Sequence, residues 1–174
     1  MTRQSRFGIA LGVCVSAITL TGCLKAVGGG NLTTADGGLI TTGFQMRCRD
    51  IGTSGHVTGQ LQYHDHELNV AFHADIDQLL SMPCEEADRL LALPPIPIPG
   101  TFQASGTYTP QPPNLGPGGL VQVTIQSGPN DFSFAGCDLG ADALVVQLSG
   151  DGVYGTYNEQ GCLEKGNFTV FTDD

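Results

Sequence analysis

The stretch "GQLQYHDHELNVAFHAD", residues 59–75, decides how this chain is read. It holds three of the four histidines, His64, His66 and His73, among the acidic residues Asp65, Glu67 and Asp75, with Asp77 just beyond. Such a run is either a metal or catalytic cluster or the polar side of a β-hairpin. Apolar residues alternate through it: Leu61 and Tyr63, then Leu68, Val70 and Phe72. Period-two alternation marks strands with one face in a core. With Asp65 and His66 as a two-residue turn, Tyr63 faces Leu68, Leu61 faces Val70 and Gly59 faces Phe72. Every apolar pair then shares one face, as a register with one buried side requires, and the Phe72 ring lies over a residue without a side chain.

That register bears on metal chemistry. His64 sits by the turn and His73 falls opposite Thr58, roughly 20 Å away at the usual strand rise. Zinc needs its ligands within about 2.3 Å of one point. The reading is therefore structural. One competing ligand set is His56, His73 and Asp75, because this register puts His56 opposite Asp75 with His73 diagonal on the same outward face. The turn histidines form a second. "HELNV" (66–70) opens like the zinc-protease motif HExxH, but Val70 stands where the second histidine is needed.

Alternation of the same kind recurs in "LITTGFQMR", "FQASGTYT", "LVQVTIQSG", "DFSFAG", "DALVVQLS", "VYGTYN" and "GNFTVF", separated by Gly, Pro, Asn and Asp. The chain is expected to be all-β, an antiparallel sandwich or barrel. The middle departs from this. "CEEADRLLALPPIPIPG" (84–100) places acidic residues ahead of Leu90 and Leu91, as at a helix N-terminus. Pro94, Pro95, Pro97 and Pro99 then force extended backbone. One short helix and a Pro-rich crossover are expected there.

The chain opens "MTRQSRFGIALGVCVSAITLTGC". Arg3 and Arg6 precede an apolar run, Phe7 to Leu20, that is shorter than the ~20 residues of a spanning helix and fits an export signal. "LTGC" (20–23) resembles the bacterial lipobox, which makes Cys23 the lipidated first residue of the mature chain. Leu24 follows in place of the aspartate that often retains such proteins at the inner membrane. The expected location is the cell envelope, at the outer membrane where there are two, with the membrane as a partner through the lipid alone. Residues 1–22 are then signal peptide, 23–38 a Gly-rich tether and 39–174 a single β-domain.

Arg3 and Arg6 leave with the signal, so five basic residues face seventeen acidic ones, a balance of −12. Such a surface disfavours nucleic acid and anionic headgroups. Of the six cysteines, Cys48, Cys84, Cys137 and Cys162 remain after Cys14 and Cys23 are removed. An even number in an oxidising compartment predicts two disulfides. Three pairings exist; Cys48–Cys84 with Cys137–Cys162 is favoured, because a hairpin about "GDG" (150–152) brings the latter two together.

No GxSxG elbow or phosphate-binding loop occurs. Asp75 and Asp77 have the spacing of a solvated strand face, and reading them as acids of an envelope-polymer hydrolase would require a cleft. The expectation is a lipid-anchored, non-catalytic binding or structural module without a cofactor, meeting an envelope protein or polysaccharide. A divalent-metal-binding protein is the alternative. "VGGGNLTTADGGLITTGFQM", "GHVTGQLQYHDHELNVAFHADI" and "LSGDGVYGTYNEQGCLEKGNFTVF" together resemble a family of secreted bacterial β-domains of uncharacterised function. Gly59, Leu61, Tyr63, Asp65, His66, Gly166 and Asn167 fall on its pattern, while the four cysteines and "PPIPIP" depart from it. The resemblance implies no catalytic residue; within it Tyr63-x-Asp65-His66 looks like a turn signature, with Asp65 capping turn N–H groups and Tyr63 packing on the core face.

Overall fold

Eight strands follow one another in chain order around a closed antiparallel barrel in the computed structural model, which describes residues 23–49, 56–80, 100–127, 137–138 and 141–173. They are β1 (Cys23–Thr33), β2 (Leu39–Arg49), β3 (His56–Asp65), β4 (Val70–Leu79), β5 (Gly100–Pro110), β6 (Gly119–Ser127), β7 (Ala143–Ser149) and β8 (Tyr157–Asp173). Each pairs with the next, and β8 returns to β1. Of the two expected architectures the chain forms the barrel. The expected helix, the Pro-rich crossover and "DFSFAG" lie outside the described residues, among which one 3-10 turn, Pro113–Leu115, is seen.

Alternation along each strand builds the core. Leu32, Ile40, Met46, Leu61, Phe72, Val121, Val123, Ile125, Leu144 and Val146 all point inward and are buried. Each such side chain contributes about 1.5–3 kcal/mol on leaving water. Outward positions are mostly polar: Gln45, Gln60, Gln62, His73, Asp75, Thr107 and Gln147 are exposed, with Leu39 and Leu120 as apolar exceptions at strand ends. This is the inverse of a membrane-spanning barrel, whose lipid face is apolar.

The structure corrects the Gly-rich tether. Residues 23–33 are β1, paired with β2 on one side and β8 on the other. Gly28 lies opposite Phe44 in β2 and Phe168 in β8. A Cβ there would stand 2.7 Å from Phe168 and 2.8 Å from Phe44, whose rings meet edge to face with centroids 5.0 Å apart. The glycine makes room for two aromatic rings to close the seam. Gly28→Val should therefore cost about 2 kcal/mol, a typical overpacking penalty, read as a fall in denaturant midpoint at constant slope.

The hairpin of residues 59–75 is also present, but four residues out of the expected register. Tyr63 pairs with Phe72, Leu61 with Ala74 and Gly59 with Ile76. The turn is four residues, 66–69, ending at Asn69 with a positive φ of 52°, a left-handed conformation that asparagine tolerates better than most residues. An even shift keeps every residue on its expected face, so the alternation is unaffected. Leu68, expected in the core, sits in the turn and is 58% exposed. Gly59 has a different reason from the one expected: a Cβ would fall 2.7 Å from Met46 Cγ, its cross-strand neighbour in β2.

The ends of the barrel differ. One rim carries the first residue of β1, Cys23, opposite Asp173. The other is made of the four connections 34–38, 66–69, 111–118 and 150–156. Around Gly37, at φ 87°, the first is tied by Gly38 N–H to Thr34 Oγ1 at 2.8 Å and Thr34 N–H to the Gly38 carbonyl at 2.9 Å. Cys137 and Cys162 form the expected disulfide, with Cys162 on β8 between Thr33 of β1 and Ala143 of β7. Cys84 lies outside the described residues, and so therefore does its expected bridge to Cys48.

Candidate functional site

All four tyrosines gather at the turn end of the barrel. Tyr63 stacks on Phe72 and meets Tyr157 edge to face, while Tyr108 packs between Phe72 and Tyr154. Beside them Asp65, at the inward-facing end of β3, is only 2% exposed. One of its oxygens, Oδ1, accepts from the N–H groups of Glu67 at 2.9 Å and Leu68 at 3.0 Å. The other, Oδ2, accepts from the Tyr157 hydroxyl at 2.8 Å. Tyr157 has one proton to give, so the 2.7 Å contact between the two hydroxyls is a bond donated by Tyr63. The chain Tyr63 to Tyr157 to Asp65 thus joins β3, β8 and the turn. The expected capping role of Asp65 is present, and its bond into the core is an addition.

Burial chiefly, then the neighbouring Tyr63 and Asp65, pushes the Tyr157 hydroxyl far above the ordinary tyrosine range. Burial does the same to Tyr63, partly offset by its bond to Tyr157. Both raised values mean that the unfolded chain loses these protons near pH 10 while the folded chain keeps them. The stability they support is complete below that pH and is lost above it, by about 1.4 kcal/mol per pH unit for each group. Thermal unfolding between pH 9 and 11 should show this fall, and Tyr157→Phe should flatten it.

The Tyr108 hydroxyl is buried and, among the described residues, has no hydrogen-bond partner. It lies under Gly152, where a Cβ would fall on the hydroxyl oxygen. It is packed structure at the barrel mouth.

On the outer wall, a groove of about 450 Å³ runs over β2, β3 and β4, lined by Thr41, Gly43, Gln62, His64, Ala71 and His73. The register of the hairpin overturns the expected histidine geometry. His73 lies opposite Gln62, not Thr58, and His64 lies opposite Ala71. His64 and His73 are therefore diagonal neighbours on one face, with Cα atoms about 7–8 Å apart, where roughly 20 Å was expected. His66 stacks on His64 with ring centroids 3.9 Å apart and places Nε2 3.1 Å from Thr41 Oγ1.

The competing set comes apart for the same reason. Asp75 pairs with Gln60, and His56 lies four positions further along β3, opposite Arg49 of β2. That is about 13 Å along the strand, so the expected His56–Asp75 pairing is not formed. Asp75 and Asp77 follow one another outward on β4, both exposed, in a groove of about 530 Å³ that Arg47 also lines. Among the described residues no three His, Cys, Asp or Glu side chains gather as metal ligands. The buried tyrosine chain was missed at first reading; its signal was the parity of Leu61, Tyr63 and Asp65, which places the aspartate inside. Compared with protein-family models, curated proteins and solved structures, the chain matches none.

Proposed function

We propose that this is an exported, lipid-anchored protein of the bacterial cell envelope whose barrel is a non-catalytic binding or structural module. The observation that carries the reading is "LTGC" at residues 20–23 behind a basic and then apolar leader. Three features support it. The outer wall is mostly polar, the surface strongly acidic, and the Cys137–Cys162 bridge suits an oxidising compartment. On this reading the acyl chains on Cys23 insert in the bilayer, and β1 begins at that same residue. The barrel then stands directly on the membrane by the rim of Cys23 and Asp173, and the turn end carrying the Asp65 turn points away. An envelope protein or polysaccharide is the partner class that such a projecting end would meet.

The test is metabolic labelling with radioactive palmitate, followed by membrane fractionation, of cells producing the full chain or its Cys23→Ser variant. Label and membrane association in the full chain, with both lost in the variant, are the expected result. Equal labelling of the two, or none in either, would refute the anchor.

A further inference from the structure

We propose that His64 and His73 form a two-imidazole site for a late first-row transition-metal ion on the outer wall of the barrel, independently of how the chain is anchored. The geometric objection to such a site rested on a register that does not form. In the register that does, the two rings leave the same face of adjacent strands on a diagonal, a separation that long side chains bridge. Between them the floor is small. Ala71 lies directly opposite His64, and Gly43 lies opposite Gln62 with open space where a Cβ would stand.

The donor set selects the ion. Among the described residues no carboxylate or thiolate lines this groove, so they offer neutral nitrogen with the amides of Gln62 and Gln111 nearby. Imidazole suits copper, zinc and nickel, whereas calcium and magnesium need oxygen ligands. Water completes the coordination on the open side. The negative charge of the whole protein raises the cation concentration around it.

His66 is a positioning residue in this site. Its ring covers one face of His64 and is itself tied to Thr41. A ligand imidazole held by a neighbour binds more tightly than a free one, because its orientation is set before the metal arrives.

The experiment is calorimetric titration of the full-length protein, purified in detergent and stripped with chelator, with Cu²⁺, Zn²⁺ and Ca²⁺ in turn. Saturable binding of one Cu²⁺ per chain is expected, with Zn²⁺ weaker and no uptake of Ca²⁺. His64→Ala and His73→Ala should each weaken Cu²⁺ by about tenfold or more, and the double variant should lose saturable binding. His66→Phe keeps the ring against His64 but loses the tie to Thr41, and should weaken Cu²⁺ by a few-fold without abolishing it. His56→Ala should bind as the parent does. The four positions lie on the outer wall, in the turn or at a strand end, so unchanged thermal unfolding serves as the folding control. Copper binding that survives the double variant, that is lost in His66→Phe, or that never saturates overturns the site.

Discussion

Asp65→Ala should lower the free energy of unfolding by about 3 kcal/mol, the scale of losing hydrogen bonds to a buried charged acceptor. Three donors converge on this carboxylate: two turn N–H groups and the Tyr157 hydroxyl. On truncation the turn amides can turn to water, since residues 66–69 are exposed. The Tyr157 hydroxyl has less freedom, being 8% exposed and already the acceptor of Tyr63. A domain of this size should melt about 10 °C lower. Asp65→Asn separates the two roles. Its amide oxygen still serves the turn, and its nitrogen can donate to Tyr157, whose proton then goes to Tyr63. Reversing both hydroxyls keeps both links but takes from the Tyr63 proton its acceptor, so Asn should cost about 1 kcal/mol, less than Ala. Equal losses for Ala and Asn, measured by chemical denaturation, would mean that the hydroxyl chain is fixed in direction. No loss with Ala would remove the network as a source of stability.

The fold class was legible because a half-buried strand writes its face into every second residue. Val121, Val123 and Ile125, or Leu144, Val146 and Leu148, are read as one inward row and are found as one. Register is a weaker inscription. Parity allows shifts of two or four residues, and choosing among them requires the turn. Asn69 before Val70 carried that information, because asparagine at positive φ ends a longer turn, yet Asp65 next to His66 looked like a sufficient tip. The error in the turn propagated to the site, separating His64 from His73 and joining His56 to Asp75. Glycine was misread in a related way. In "VGGGN" the absence of side chains suggested a flexible tether, whereas Gly28 is required by Phe44 and Phe168 on the two strands beside it. Those partners lie sixteen residues on and near the far end of the chain. No local pattern pairs them; closure of the barrel does.

Reduction of the Cys137–Cys162 bridge is expected to cost about 3.5 kcal/mol, from the entropy returned to the unfolded chain when a loop of this length is released. The sequence separation is 25 residues. Its position makes the loss local as well as global. Cys162 is the residue at which β8 passes from one neighbour to the other, pairing with Ala143 of β7 and Thr33 of β1. Cys137 is 4% exposed and lies shortly before β7 begins. The bridge thus pins the entry of β7 onto the point where β8 turns to close the barrel. A chain held in a reducing compartment forgoes this constraint, so the covalent framework and the proposed envelope location depend on the same chemistry. Thermal unfolding with and without reductant should differ by about 10 °C. A Cys137→Ala, Cys162→Ala double variant should melt at the temperature of the reduced protein, or above it where a second bridge remains. Any further fall when that variant is itself reduced would measure a second bridge, the one expected between Cys48 and Cys84. A double variant indifferent to reductant would leave Cys137–Cys162 as the disulfide that carries the stability.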